Sequence, residues 1–161
     1  MNSILNLTLA AENLGNFLNK THSRIVTAES CTGGWLAQCI TDIAGSSAWF
    51  DRGFITYSNV SKSDMLNVQS DTLENFGAVS AEVARQMLQG ALQHSLADYA
   101  IAITGVAGPT GGTVLKPVGT VYIAWQKRAE SAIVTLEHFI GDRQEIRCQA
   151  VYKALNLIPT E

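Results

Sequence analysis

The sequence predicts an α/β fold, a three-layer α/β/α sandwich around a mixed, mostly parallel central sheet. Helical and β-rich segments alternate along most of the 161 residues, an order that places helices on both faces of one sheet. One β-rich segment, residues 97–104, is almost wholly apolar, as expected for a strand covered on both faces. The length suits a single domain over residues 1–161 with one sizeable core.

The first half of the chain predicts two strands set among helices. Apolar residues recur at helical spacing in several segments, whereas the β-rich runs are short. The pair Gly33-Gly34 marks a tight turn from the first strand into a helix. In chain order the elements are a helix over residues 1–20, a strand over 24–28, a helix over 35–43, a strand over 51–57 and two short helical pieces within 58–77.

The second half predicts a long helix, the buried strand, a loop and a hairpin. Ser80 is the expected N-cap of the long helix. Residues 105–117 contain four glycines and two prolines, which favour a long ordered loop. Two β-rich runs, residues 119–126 and 131–139, then predict an antiparallel hairpin, which makes the sheet mixed. A capping-box pattern starting at Asp142 begins the last helix.

Composition excludes several classes of function. Asp and Glu total 14 against 11 for Lys and Arg, and the basic residues are scattered, so no nucleic-acid partner is expected. No apolar stretch approaches the roughly 20 residues that span a bilayer, and the N-terminus does not resemble a signal peptide. We therefore expect a soluble cytoplasmic protein without a membrane partner. Three cysteines without C-x-x-C spacing predict neither disulfides nor a structural metal, and no cofactor is expected.

The segment TAESCTGG, residues 27–34, is the strongest candidate for a nucleophile site. It places hydroxyls and a thiol at a strand-to-helix turn, where free N–H groups of the helix start and of the two glycines could receive an oxyanion. Ser30 is one candidate nucleophile, and Cys31 is another because a thiol at a helix N-terminus ionises more easily. The structural alternatives are that Ser30 or Thr32 only caps the helix and that Cys31 is a small buried residue.

A serine nucleophile requires a base. The three histidines, His22, His94 and His138, fall at helix ends or in the hairpin, so a Ser-His-Asp triad is not favoured. Lys62 follows the second strand, and a lysine partly removed from water has the lowered pKa that suits a base. Tyr57 could donate a hydrogen bond beside it. The structural alternative for Lys62 is a solvated lysine in the first turn of a helix.

The segment TGVAGPTGG, residues 104–112, lacks the features of two common nucleotide-binding motifs. No helical pattern follows it and no Gly-Lys-Ser/Thr is present, so neither a Rossmann nor a Walker loop is predicted. A glycine-rich loop after a central strand is nevertheless where α/β sheets often bind ligands, and its N–H groups could face a phosphate. An ordered turn between two strands is the alternative.

Four segments together closely resemble the CinA C-terminal-domain family, namely TAESCTGG, GFITYSNVSK from Gly53, GAVS from Gly77 and TGVAGPTGGTVLKPVGTV from Thr104. Their order and spacing cover roughly residues 24–157. The resemblance implies the same α/β/α sandwich and an amidohydrolase that converts nicotinamide mononucleotide to nicotinate mononucleotide and ammonia. It also implies a metal-free reaction in pyridine-nucleotide salvage and a homo-oligomer.

Carried over by motif position, the resemblance assigns Ser30 as nucleophile, Lys62 as base and Tyr57 as an assisting group. It assigns the nucleotide site to Thr32, Gly33, Thr104, Gly105 and Gly108, with Arg143 as a phosphate partner. The alternative function is a non-catalytic module that binds a nucleotide or contacts a DNA-damage partner. The complete set of Ser30, Tyr57 and Lys62 argues against an inert site, and the acidic balance argues against DNA binding.

Overall fold

The computed structural model describes the backbone of residues 2–159 and the side chains of residues 6–159. No helix within this range is long and apolar enough to cross a membrane. In chain order the elements are α1 (Asn2–Lys20), β1 (Ile25–Glu29), α2 (Trp35–Thr41), a 3-10 helix (Ser46–Ala48), β2 (Phe50–Ile55), α3 (Asn59–Leu66), α4 (Ser70–Phe76), α5 (Ala81–Gln93), β3 (Tyr99–Gly105), β4 (Thr120–Lys127), β5 (Ile133–His138) and α6 (Arg143–Leu155).

The five strands of the described residues form one sheet in the order β2-β1-β3-β4-β5. β1 pairs in parallel with both β2 and β3, whereas β4 is antiparallel to β3 and to β5. Four strands therefore point in one direction and β4 alone is reversed. The mixed, mostly parallel sheet and the hairpin that were predicted from the sequence are confirmed.

Helices cover both faces of this sheet, which confirms the three-layer sandwich. On one face, α1, α2 and α6 pack on large strand side chains such as Ile101 and Ile103. On the other face, β3 presents Ala100 and Ala102 to α5, and these small side chains let the helix lie close to the sheet. All four residues are fully buried, which explains why this segment is apolar on both sides.

The contact between α5 and α3 depends on Gly90. A Cβ atom at Gly90 would collide with the carbonyl oxygen of Leu66, the last residue of α3, so only glycine allows the two backbones to approach this closely. At its other end, α3 begins with a capping box in which Ser58 and Ser61 each accept the other's N–H at 3.1 Å. With both ends held, α3 carries Lys62 into the interior.

The second helix is shorter than the sequence predicts. α2 ends at Thr41, and Asp42 closes it by donating its N–H to the carbonyl of Gln38 at 2.8 Å. Gly45 then adopts a φ of 84°, a left-handed conformation that interrupts the helical path. The 3-10 helix that follows has no clear signal in the sequence.

Candidate active site

Most of the predicted site residues meet at the carboxyl ends of the parallel strands. Ser30 follows β1, Thr56 follows β2 and Thr104 lies near the end of β3. The Ser30 N–H donates to the carbonyl of Ile103 at 3.0 Å, and the Thr56 N–H donates to the carbonyl of Glu29 at 2.8 Å. These bonds fix the strand ends side by side, where open α/β sheets bind their ligands.

A cavity of about 300 Å³, the Ser30 cavity, opens between these strand ends, the start of α3 and the glycine-rich loop, residues 106–119. Seven of the nine predicted site residues line it: Ser30, Tyr57, Lys62, Thr104, Gly105, Gly108 and Arg143. The other two, Thr32 and Gly33, lie outside it. The size falls at the lower end of the range for small-molecule sites.

Ser30 and Lys62 are in direct contact in the wall of this cavity. Lys62 Nζ lies 3.0 Å from Ser30 Oγ and donates to the carbonyl oxygen of Thr56 at 2.9 Å. The Lys62 side chain is 1% exposed, and this burial lowers the pKa of its amine. A neutral amine that donates to Thr56 keeps its lone pair for the hydroxyl proton of Ser30. The pair can therefore generate an activated serine.

Cys31, the alternative nucleophile, lacks the surroundings of a reactive thiol. Burial is the largest effect on this group and raises the pKa of the Cys31 thiol to about 11, although the side chain lines the Ser30 cavity. The thiol is therefore protonated at neutral pH, and only the thiolate is a strong nucleophile. Its environment fits the alternative of a small buried residue.

Glu29, which precedes Ser30, organises the turn that follows. Its buried carboxylate accepts four hydrogen bonds: Oε2 from the Thr32 hydroxyl at 2.7 Å, from the Gly34 N–H at 3.1 Å and from the Leu36 N–H at 3.0 Å, and Oε1 from the Ala37 N–H at 2.9 Å. Three of these donors belong to the start of α2, where helix N–H groups otherwise lack partners. One carboxylate thus holds the nucleophile turn, residues 30–34, against the helix.

This arrangement contradicts the expectation that the N–H groups of the two glycines are free for an oxyanion. The Gly33 N–H donates to the Ser30 carbonyl and the Gly34 N–H donates to Glu29. Gly34 is the N-cap of α2 and has no side chain to cap with, so neither Ser30 nor Thr32 caps this helix. The lack of a capping side chain at Gly34 is the one sequence signal that predicts a role for Glu29. The N–H groups at a buried helix start need an acceptor, and here another residue must provide it.

Arg147 of α6 holds the opposite side of the same turn. Its Nε donates to the carbonyl of Cys31 at 3.1 Å and its Nη2 donates to the carbonyl of Thr32 at 2.9 Å. The guanidinium lies 5.4 Å from the centroid of the Trp35 ring, within the range of a cation–π contact. No pattern in the sequence predicts this role of Arg147, because its contacts are with residues more than 110 positions away.

Tyr57 and Arg143 form a bridge at the rim of the cavity. Arg143 donates from Nη2 to the Tyr57 hydroxyl at 3.0 Å and from Nη1 to the Gly108 carbonyl at 2.6 Å. The Tyr57 side chain is 63% exposed, and among the described side chains its hydroxyl bonds to Arg143 and to neither Ser30 nor Lys62. The structure thus joins Tyr57 to the glycine-rich loop through Arg143.

The glycine-rich loop is fixed at its ends and has unused donors in its middle. The Val106 N–H donates to the Thr120 carbonyl and the Gly119 N–H to the Val106 carbonyl, both at 2.8 Å. Lys116 Nζ donates to the carbonyl of Phe76 at 2.7 Å. Between these points, no N–H of residues 107–112 bonds to another residue of the described chain. These donors are available to a ligand.

The three histidines lie away from Ser30. His22 follows α1, His94 caps the end of α5 and His138 is in β5, and none of the three lines the Ser30 cavity. Within the described residues, no group of three or more His, Cys, Asp or Glu side chains is placed to hold a metal ion.

The chain matches the CinA C-terminal domain family over residues 7–161. It is 50% identical to the nicotinamide-nucleotide amidohydrolase PncC of Escherichia coli K12 over 148 residues, which are 92% of this chain and 90% of that protein. It is 45% identical to the PncC of Pseudomonas putida over 93% of both proteins. The crystal structure of the competence/damage inducible protein CihA from Agrobacterium tumefaciens superposes with a TM-score of 0.92 at 44% identity, over 94% of this chain and 93% of that one.

Proposed function

Because the chain belongs to the CinA C-terminal domain family, we propose that it is a nicotinamide-nucleotide amidohydrolase that works by a Ser-Lys mechanism. The substrate class follows from the PncC relatives, which carry that activity in their names and are 45–50% identical over nearly their whole length. The observation that carries the mechanism is the contact of 3.0 Å between Lys62 Nζ and Ser30 Oγ, with both side chains buried.

In the first half of the reaction, Ser30 Oγ attacks the carbonyl carbon of the carboxamide while neutral Lys62 accepts the hydroxyl proton. The carbonyl oxygen becomes an oxyanion in a tetrahedral intermediate. The carbon–nitrogen bond then breaks as the Lys62 ammonium returns the proton to the departing amide nitrogen. Ammonia leaves, and the acyl group remains on Ser30 as an ester.

In the second half, water attacks the ester carbonyl and Lys62 accepts a proton from it. The intermediate collapses, Ser30 Oγ leaves and recovers its proton from Lys62, and the carboxylic acid product ionises in solution. The sum is one amide and one water converted to one carboxylate and one ammonium ion. Lys62 is neutral at the start and at the end, which agrees with the burial that lowers its pKa.

The oxyanion and the rest of the substrate face the glycine-rich loop in this proposal. The start of α2 cannot receive the oxyanion because its N–H groups donate to Glu29 and, from Trp35, to the Thr32 carbonyl. In contrast, the unused N–H groups of the loop include those of residues 107, 108, 110 and 111, which line the cavity. Thr104, Gly105 and Gly108 form the wall on that side. Tyr57 assists from the rim through its bond with Arg143, which contacts the phosphate.

The reaction serves pyridine-nucleotide salvage in the cytoplasm, carried out by a single-domain chain that assembles into a homo-oligomer. These parts of the proposal are supported by the family resemblance. They do not alter the chemistry at Ser30.

The direct test is ammonia release from nicotinamide mononucleotide by purified protein, measured with and without EDTA. We expect turnover that EDTA does not change, and loss of activity in Ser30→Ala by a factor of about 10³ or more, because the nucleophile is removed. Cys31→Ala is the matched control and should retain activity. An inactive Cys31→Ala enzyme beside an active Ser30→Ala enzyme would reverse the assignment.

The same assay tests the alternative of a non-catalytic binding module. A module of that kind would bind the mononucleotide without releasing ammonia, and Ser30→Ala would leave its affinity unchanged. The buried contact between Ser30 and Lys62 argues against such a module. Burying a lysine costs free energy of folding, and groups of this kind cluster at sites that carry out chemistry.

A further inference from the structure

A second cavity of about 660 Å³ lies between the start of α2 and the start of α6, next to the Ser30 cavity. Arg143 lines both cavities and Arg147 lines the second. Among the described residues, no carboxylate lines this second cavity; its remaining lining residues are Gly33, Gly34, Trp35, Gln38, Ile55 and Gln144. Its chemistry therefore favours an anion.

The two arginines occupy an unfavourable position for cations. Arg143 is the first residue of α6 and Arg147 lies one turn later. Both guanidinium groups therefore place positive charge near the N-terminal end of the helix, which is the positive end of its dipole. Residues four apart share a helix face, where like charges repel. Asp142 and Glu145 offset part of this charge through their capping box, but no carboxylate of the described side chains forms a salt bridge with Arg143 or Arg147. A bound anion would relieve both effects.

Both guanidinium groups also keep donors for such an anion. A guanidinium has five N–H groups, and each of these two uses only two of them in the contacts described above. Those contacts fix the orientation of each guanidinium before a ligand arrives. Two oriented guanidiniums match the oxygens of a phosphate monoester, which accept paired hydrogen bonds from arginine.

We propose that this second cavity is a phosphate subsite in which Arg147 joins Arg143 in binding the phosphate monoester of the substrate. The inference rests on the proposed function and adds to it a residue that selects nucleotides over nucleosides. The carboxamide enters the Ser30 cavity, the ribose passes Arg143, and the phosphate lies between Arg143 and Arg147. The N–H groups at the start of α2 do not contribute, because Glu29 occupies them.

The test compares nicotinamide mononucleotide with nicotinamide riboside, which has the same amide and ribose but no phosphate. Arg147→Gln releases the nucleophile turn for either substrate, so kcat/KM should fall for both. For the mononucleotide it should fall by a further factor of roughly 10- to 100-fold, the effect of losing charge-assisted bonds to the phosphate, and this further loss should be in KM. Arg147→Lys keeps the charge and should give an intermediate KM, and it replaces Arg147→Gln if that variant does not fold.

Arg128→Gln is the matched control, because Arg128 also donates to carbonyl oxygens, those of Leu92, Ser95 and Ala97, but lines neither cavity. It should change neither substrate's kinetics. A loss of kcat/KM that is equal for mononucleotide and riboside would show that Arg147 only holds the nucleophile turn, and would overturn the subsite. Unchanged kinetics in both Arg147 variants would overturn it as well.

Calorimetric binding of nicotinate mononucleotide and of inorganic phosphate separates this inference from the proposed activity. If the wild type releases no ammonia, the proposed function fails. The subsite still stands if phosphate binds the wild type and binds Arg147→Gln at least roughly 10-fold more weakly. Equal binding to both proteins, or no binding to the wild type, overturns it.

Discussion

The nucleophile turn and the glycine-rich loop both contribute to the Ser30 cavity, but they differ in how far their backbone polar groups are hydrogen-bonded within the protein. In the turn, Glu29 accepts the N–H of Gly34 and Arg147 donates to the carbonyls of Cys31 and Thr32. In the loop, the N–H groups of residues 107–112 have no partner elsewhere in the described chain.

This difference separates two requirements of catalysis. A nucleophile must be in position before the substrate arrives, because ordering it during the reaction would raise the barrier. Groups that recognise a substrate must instead retain unused hydrogen-bond capacity. The protein meets the first requirement by fixing the turn after Ser30 through Glu29 and Arg147. It meets the second by leaving N–H groups of the loop without a partner among the described residues.

The largest effect is expected when the base itself is changed. Lys62→Arg should lower kcat by about 10²- to 10⁴-fold, because arginine stays protonated and cannot accept the Ser30 proton. Since burial lowers the pKa of Lys62, wild-type kcat/KM should rise with pH until the amine loses its proton and then level off. The variant should show no such rise in a pH series of steady-state kinetics. A variant with wild-type kcat and raised KM would mean that Lys62 only binds substrate.

An intermediate effect is expected when the turn is loosened. Glu29→Gln keeps the shape of the side chain but replaces one carboxylate oxygen with an amide NH₂. Because both carboxylate oxygens accept hydrogen bonds in the wild type, the NH₂ would face at least one donor in either orientation. We expect kcat to fall roughly 10- to 100-fold, from the loss of charge-assisted bonds that orient Ser30, while KM changes little.

Thr32→Val is the matched control for Glu29→Gln, since it removes only the hydroxyl that donates to Glu29. It should lose less kcat than Glu29→Gln. Thermal unfolding of both variants shows whether a loss of activity reflects a loss of fold. Full activity in Glu29→Gln would mean that the turn needs no carboxylate to hold it.

The smallest effect is expected when the loop is altered. Gly108 has a φ of 78°, and a Cβ there would lie 2.5 Å from Val118 Cγ1. Gly108→Ala should therefore shift the loop at a cost of about 1–2 kcal/mol, which corresponds to roughly a 5- to 30-fold rise in KM, with kcat almost unchanged. Gly111→Ala has a similar φ of 86°, but its Cβ would make only an ordinary van der Waals contact, 3.9 Å from Val106 Cγ1, so its KM should rise less. A fall in kcat without a change in KM would contradict the role assigned to the loop.

The sequence predicted the sandwich, the hairpin and the cavity more completely than the details of the turn. Apolar periodicity identifies strands and helices because burial imposes it directly, as β3 and α5 show. Ser30 and Lys62 were candidates from their positions after the first two strands, and the motif resemblance assigned their roles. The distance between them could not be predicted. Arg147 was missed because its hydrogen-bond partners are backbone carbonyls, which every residue has and which leave no pattern in the sequence. Glu29 was missed because its signal is indirect, a helix start without a capping side chain.

The contact between Gly90 and Leu66 has a consequence for any effort to alter this enzyme by random mutagenesis. Gly90 lines neither cavity, yet every other side chain at this position would displace the end of α3. That displacement would change the distance between the Lys62 amine and Ser30 Oγ. Variants at Gly90 should then be folded proteins with poor turnover, and a screen would record them as unexplained losses far from the substrate. A library designed to change substrate preference should keep this position constant and vary the rim instead.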